Sequence, residues 1–539
     1  MVRHAVGRLN GNLVRMERRI RMWVKSLSAG ALLVAGFGLY CEPQSVAAQA
    51  ASEGIGIFES ESDIGSVTPP GTLAYDASQH VYTISAAGEN IWSTVDAFHF
   101  AWKKVSGDVS LTADMNFPET KGDPNPHRKT VLMFRQTLDA DGVYADAAQH
   151  GSGLTALQYR AARGATTQDI ELNIASPRRL RLEKRGDTIT MFLSMGNEPL
   201  HQVGASIKLH LEGPFYAGIG VCSHNKDVVE KATFANVELK AMTHSAAPAQ
   251  LALYSTLQTI GIEDSFRRAL MVMSSRGHFE APNWSRDGRS LVFDRDGHLW
   301  TIPAEGGNAT MIETGAATNC SGSHGLSPDG KLLALSCGMA GSGEVRVYIL
   351  PLSGGTPKQV TENSGSYFHS WSPDGKTILF TRFSEGSLNI YSVSVDGGTE
   401  KAMTVGKGIS DDPDYSADGR YIYFNSDRGG GTMQIWRINA DGTDPIQVTS
   451  DDWNNWTPHP SPDGKSIVIL SYPKNVTGHP ANKDVALRIL TPADGKVRTL
   501  VNIVGGSGTD NVPNWAPDGS HFAFVSYQML PVEDTGSSE

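Results

Sequence analysis

Short runs in which every second residue is apolar recur along the whole chain, without a convincing helical period among them. A period of two sends successive side chains to opposite faces, so these runs predict strands with one buried face. In the C-terminal half they come in ordered sets. Thr377-Ile-Leu-Phe380 is followed by Asn389-Ile-Tyr-Ser-Val393, and Tyr421-Ile-Tyr-Phe424 by Gln434-Ile-Trp-Arg-Ile438. An Asp-Gly or Gly-Gly turn comes next (Gly354-Gly355, Gly397-Gly398, Asp441-Gly442), and a last strand such as Pro445-Ile-Gln-Val-Thr449 closes the set.

Ahead of each set stands Ser/Ala-x-Asp-Gly, with its aspartate at Asp287, Asp329, Asp374, Asp418, Asp463 and Asp518, at intervals of 42, 45, 44, 45 and 55. Proline at the second position presets φ and glycine at the fourth accepts a positive φ, which makes Ser-Pro-Asp-Gly a tight hairpin turn. Four short strands per period of this length predict the blade of a β-propeller. The sixth copy stops soon after Phe522-Ala-Phe-Val-Ser526. Two strands at Leu253–Thr259 and Arg268–Val272 precede the first complete copy. Pairing the two halves would close a ring of six blades with a two-plus-two strand closure and remove two open edges.

Residues 53–240 lack the repeat. Strands at His80–Ile84, Val109–Asp114, Thr130–Phe134, Leu154–Tyr159, Thr188–Leu193 and Tyr216–Gly220, separated by glycine turns, predict a jelly-roll β-sandwich. The expected organisation is all-β: a leader over 1–50, a sandwich over 53–240, a linker over 241–250, a propeller over 251–530 and a tail over 531–539.

The repeats "APNWSRDG", "HSWSPDG" and "PNWAPDG", followed by strands of the "IYSVSVDGG" type, resemble the TolB-type six-bladed propeller family across roughly 251–530. That resemblance implies an extracytoplasmic protein whose funnel binds partners. TolB proper carries a small α/β domain ahead of its propeller, and nothing here resembles it. The segments "IWSTVDAFHFAWKKVSGD" and "LRLEKRGDTITMFLS" resemble the concanavalin A-like lectin/glucanase sandwiches, which implies a concave glycan-binding face. Trp92, His99 and Trp102 are stacking candidates there, although ordinary core packing is the favoured reading of the tryptophans. The Glu-x-Asp-x-x-Glu strand of retaining glucanases is absent.

Composition narrows the setting. Arg18, Arg19, Arg21 and Lys25 precede an uncharged run over 26–40 and the small-residue site Ala48-Gln49-Ala50, the pattern of a cleavable secretory signal with Ala51 as the mature start. No later stretch is long and apolar enough to span a membrane. Removing 1–50 leaves 39 basic against 55 acidic residues, a balance of −16. Such a surface repels phosphate backbones, which excludes nucleic acid as a partner. Of the remaining cysteines, Cys320 and Cys337 lie symmetrically about the turn at 327–330, so a hairpin would place them opposite each other and an oxidising compartment would permit a disulfide.

Candidate chemistry lies ahead of each turn. The first strand of a blade lines the central channel, so the segments before the six turns converge on one mouth. The residues that vary there are His278 and Glu280, His324, Tyr367 and His369, Asp411, Asp412 and Asp414, Asn455, Trp456 and His459, and Asp510 and Asn511. The long loop of the fifth copy, "YPKNVTGHPANKD", is expected to add His479, Asn482 and Lys483 to the same mouth. Two chemistries fit this set. Neutral imidazoles with carboxylates hold a divalent ion, with His324, His369, His459 and His479 as candidates. Alternatively, His369, His459, Lys483 and Asp412 serve as acid and base on a sugar. The leading expectation is an exported binding protein that engages a glycan or an envelope protein or peptide. The rival is a polysaccharide lyase or glycoside hydrolase with a metal-assisted site. The six repeated aspartates read as turn residues.

Overall fold

All regular structure among the described residues is β-strand. The computed structural model describes residues 55–531 apart from 119–123, 173, 175, 195–199, 243–250, 263–267, 340–342, 385 and 407. The expected leader and almost all of the expected linker and tail lie outside the described residues.

The N-terminal part is two sheets packed face to face. One runs Ser60–Ile64, Val95–Val105, Phe215–Cys222, Lys129–Arg135, Tyr144–His150, Thr155–Arg160 and Gln168–Leu172 in spatial order. The other runs His201–Lys208, Thr188–Ser194, Arg179–Arg185, Val109–Asn116, Glu230–Ala241, Val81–Ala86 and Thr72–Asp76. Their alternating apolar positions meet in a core that includes Leu111, Leu132, Phe134, Leu157, Leu182 and Phe234. Each such side chain contributes about 1.5–3 kcal/mol on burial.

Five four-stranded blades follow. Their first strands are Phe279–Trp284, Ala317–Leu326, Ser366–Trp371, Ser410–Tyr415 and Trp453–Pro460. Second strands begin directly after the Ser/Ala-x-Asp-Gly turns, as the alternation predicts. The repeated aspartate builds that turn in every copy. Ser372 Oγ donates to Asp374 Oδ1 at 2.6 Å, Asp374 Oδ1 accepts the Lys376 amide at 3.1 Å, and Ser372 Oγ accepts the Thr377 amide at 2.9 Å. Where the last copy has Ala516 instead of serine, the Ser520 hydroxyl bonds Asp518 at 2.7 Å. Tryptophans staple neighbouring units: Trp371 Nε1 donates to the Gly325 carbonyl at 2.9 Å, and Trp515 Nε1 to that of His459 at 2.8 Å.

The sixth repeat differs from the expected blade. Strand His521–Pro531 pairs with Leu251–Gly261 over eleven consecutive residues, and Leu251–Gly261 pairs with Arg268–Arg276. Arg268–Arg276 does not end the sheet. It pairs in parallel with Gln168–Leu172 of the N-terminal sandwich, so one continuous sheet of eleven strands runs from the N-terminal part into the propeller. On the inner side, the segment before the last turn meets strand His521–Pro531 through the bridge Trp515–Phe522 and through hydrogen bonds from Ala523 N to the Asn514 carbonyl and from Val525 N to the Thr509 carbonyl, both 2.9 Å. The core is likewise shared, with Ile170, Ile207 and Ile260 packed in one cluster with Leu470, Leu500 and Phe524. Sheet continuation covers edges that would otherwise stay open.

Cys320 and Cys337 face each other in register across the first two strands of the second blade and are joined by a disulfide. Cys222 is a buried free thiol.

Candidate functional site

Each blade's first strand slips register part-way along its pairing with the second, between Glu280 and Asn283, Thr318 and His324, Phe368 and Ser370, Asp411 and Asp414, and Trp456 and His459. A bulge of this kind bends the strand and re-aims its side chains. In four blades a non-glycine residue adopts the left-handed conformation at that point: Ala281 (φ 56°), Asn319 (φ 59°), Asp412 (φ 51°) and Thr457 (φ 47°). Strain of this sort costs about 1–3 kcal/mol and is held by its surroundings. Here Ala281 N donates to the Gly508 carbonyl at 2.8 Å, and Thr457 N to Asn425 Oδ1 at 3.1 Å.

The bulges bring carboxylates and imidazoles of four successive units together. His369 Nε2 lies 3.5 Å from Asp411 Oδ1, and His369 Nδ1 lies 3.5 Å from Asp412 Oδ1. Thr381 Oγ1 is 3.0 Å from the same Nε2. One ligand atom from each of His369, Asp411 and Asp412 falls within 4.8 Å of the others. The two neighbouring carboxylates are not alike. Burial works against charge on Asp411, but hydrogen bonds and the charge of His369 outweigh it and hold its pKa below the usual value. Burial, reinforced by Asp411 and Asp510, pushes Asp412 well above the usual carboxylate range. Asp412 is buried, and its Oδ2 has no hydrogen-bond partner.

His459 occupies the next position round the ring and behaves differently. Its Nδ1 is 3.1 Å from Asp414 Oδ2, and its Nε2 is 2.6 Å from the Asp510 carbonyl. A carbonyl accepts only, so Nε2 carries a proton, and a charged Asp414 calls for another on Nδ1. Burial disfavours that cation, yet the Asp414 hydrogen bond and the charges of Asp414 and Asp510 outweigh it and raise the His459 pKa. An imidazolium pinned at both nitrogens has no lone pair for a metal or a substrate proton. Asp510, buried beside it and bonded by Thr457 Oγ1 at 3.0 Å, is pushed up to about 6 by burial.

The other predicted residues divide. His278 stacks on Tyr527 at 5.2 Å, and its Nε2 is 3.8 Å from Glu280 Oε2. Glu280 pairs across strands with Asp294, and burial raises both, Asp294 to about 8. His324 and His479 are buried and pulled down to about 4, hence neutral at pH 7. His479 stacks on Trp456 at 4.9 Å. Asn455 is enclosed by Gln434, Thr449, Asp451 and Ser471, which use up its amide, so it braces the blade. Asn511 Oδ1 caps the Gly508 amide at 3.0 Å. The four candidate histidines do not gather round one point; among the described residues the one set with metal-ligand spacing is His369 with two aspartates. Asn482 and Lys483 depart furthest from expectation. The loop carries His479 inward, but then turns Asn482 and Lys483 onto a cleft shared with the N-terminal sheet.

Sequence reading passed over Asp294, Thr457 and Tyr527. Asp294 had a usable signal, a carboxylate ending the apolar run Leu291-Val-Phe. Thr457 had none, because its contribution comes from a backbone conformation that no glycine marks.

In the first domain, His99 is bonded on both sides, to Asp63 Oδ1 at 2.7 Å and to Glu61 Oε2 at 3.0 Å, and Trp102 Nε1 donates to Ser62 Oγ at 2.8 Å. These contacts pin the edge strand Ser60–Ile64.

With that geometry in hand, the comparisons are informative. Residues 340–529 match the TolB beta propeller domain. An uncharacterized protein of Agrobacterium fabrum is 44% identical over 268 residues, a match covering 50% of this chain and 90% of that protein. The chain belongs to the TolB-type propeller family. The Tol-Pal system protein TolB of Francisella tularensis subsp. tularensis is 29% identical over 266 residues, covering 47% of this chain and 58% of that protein. A solved structure from Agrobacterium tumefaciens, assigned provisionally to TolB, shares 42% identity over 52% of this chain and all of its own, with a TM-score of 0.49. The matches to the Agrobacterium protein and to Francisella TolB each extend over about half of this TolB-type chain.

Proposed function

We propose that this TolB-type protein is a periplasmic binding protein whose propeller mouth engages an envelope partner through a divalent cation. In this reading the paired strands 251–261, 268–276 and 521–531 act as a sixth blade. The N-terminal part is a concanavalin A-like sandwich, and residues 1–50 are a cleaved export signal. No helix among the described residues is long and apolar enough to cross a membrane. Membership of the Tol-Pal system itself is left out of the proposal, because the match reaches 58% of Francisella TolB.

One observation carries the reading. Asp412 is a buried carboxyl with an unpartnered oxygen, set beside Asp411 and the His369 ring at the spacing of a ligand set. An imidazole with two carboxylates suits a first-row divalent ion such as Mn²⁺, and a cation there would offset the cost of burying Asp412. Binding is favoured over catalysis because two of the four acid–base candidates are engaged elsewhere: His459 has both nitrogens committed, and Lys483 faces a different cleft.

The test is site-specific photocrosslinking in cells. A photoreactive residue replacing the half-exposed Tyr367, on the mouth strand of His369, should trap an envelope protein. The Asp412→Asn background should abolish the adduct. An adduct that persists in that background, or no adduct from any mouth position, would refute the reading.

A further inference from the structure

Two cavities of about 380 Å³ each adjoin where the N-terminal sandwich meets the fifth blade, and they share Lys208 and Asp484. We propose that together they form a groove that binds a linear, hydroxyl-rich oligosaccharide, at a site separate from the propeller mouth. Volumes of this order are typical of small-molecule sites, and such sites favour the junction between domains.

The lining chemistry selects the ligand. Three donor–acceptor pairs line the groove: Arg185 Nη2 with Glu183 Oε1 at 2.7 Å, His210 Nδ1 with Asp187 Oδ1 at 2.8 Å, and Lys208 Nζ with Asp484 Oδ1 at 3.5 Å. Each pair sets a donor beside an acceptor, which is what two adjacent sugar hydroxyls require. Because charge cancels in the Arg185–Glu183 and Lys208–Asp484 pairs, the groove favours a neutral polar ligand over a strongly charged one. Trp453 lines the first lobe, and the Arg488 guanidinium lies 5.2 Å from its ring centroid. An indole ring supplies the apolar platform on which the C–H face of a pyranose stacks.

Lys483 lines the second lobe, where it forms no ion pair among the described residues. It lets the groove accept an acidic substituent along an otherwise neutral chain. The groove is open, with Asp484 at 72% and His210 at 70% side-chain exposure. One side of its wall comes from the N-terminal part, with Asp187, Lys208 and His210, and the other from the fifth blade, with Trp453, Pro473 and Asp484. The site therefore exists only when both parts of the chain are folded against each other.

The experiment is calorimetric titration of the full mature chain with three probes: cellohexaose, xylohexaose and hexamannuronate. Saturable binding of a neutral probe is expected, weakened about tenfold or more by Trp453→Ala and by Asp484→Ala. Asp412→Asn, at the mouth, should leave it unchanged. Tighter binding of hexamannuronate that Lys483→Ala abolishes would assign the acidic substituent to Lys483. Asp484 is exposed, so Asp484→Ala serves as the test even if Trp453→Ala does not fold. No saturable binding of any probe, or neutral-probe binding that survives both groove variants, would overturn the proposal. Because the mouth variant is read in the same titration, failure here is distinguishable from failure of the mouth reading.

Discussion

Two sets of aspartates lie in the same blades, a few residues apart, in opposite electrostatic states. Those of the hairpin turns, Asp374 and Asp463 among them, sit in water and accept a serine hydroxyl and a backbone amide. Those hydrogen bonds lower their pKa values, to about 2 for Asp418 and Asp463. Two aspartates of the mouth are buried and pushed the other way, Asp510 to about 6 and Asp412 well above its usual value, while Asp411 beside them, though buried, is held low by His369. The repeated acids are satisfied, whereas Asp412 and Asp510 each keep a buried oxygen without a hydrogen-bond partner among the described residues. A carboxylate with full hydrogen bonding builds structure, whereas one buried without a partner is a site awaiting a cation.

The comparison breaks most visibly at His459, the cation that separates mouth carboxylates. His459→Ala leaves Asp414 buried without its partner, and loss of one member of a buried pair costs about 3–5 kcal/mol. Urea denaturation should show that loss, whereas His369→Ala, which removes the more distant 3.5 Å contact with Asp411, should lower the midpoint by less. Equal effects would remove the distinction drawn between a structural and a ligand-facing histidine.

A smaller effect is expected from Asp294→Asn. A carboxyl raised in the folded state stabilises fully below its unfolded pKa near 4 and loses that contribution as pH rises through about 8. The variant should therefore gain stability over the parent at pH 8 and gain little at pH 4, measured as the difference in Tm. The turn aspartates predict the reverse sign. Asp463 is held low, so its contribution is present at neutral pH and disappears as pH falls through about 2. Asp463→Asn should lower Tm at pH 7 by less than His459→Ala does. That deficit should vanish towards pH 2.

How much of this was legible in the chain follows from the same contrast. The alternating runs and Ser-x-Asp-Gly turns carry their own local physics, so the five blades and the role of the repeated aspartates could be read directly. The mouth was legible as a list: His369, Asp411 and Asp412 were named from their position ahead of the turns. What could not be read was which of them meet. The bulges at Asp412 and Thr457 are set by neighbouring blades, since no glycine marks them. The commitment of His459 to Asp414 and the Asp510 carbonyl is a contact between units 45 and 51 residues apart. The outward turn of Asn482 and Lys483 depends on the N-terminal sheet, which reaches the propeller by parallel pairing of Gln168–Leu172 with Arg268–Arg276. Pairing between segments so far apart leaves no periodic trace in sequence.

The most direct test of the central claim is a calorimetric titration of the mature protein with Mn²⁺ at pH 7, in parallel with Asp412→Asn and Asp463→Asn. The account predicts saturable binding near one ion per chain, with release of protons as Asp412 ionises. Asp412→Asn should abolish it, and Asp463→Asn should leave it untouched. Binding that survives Asp412→Asn, or that depends equally on Asp463, would contradict the division between the acids that build the blades and the acids that serve the mouth.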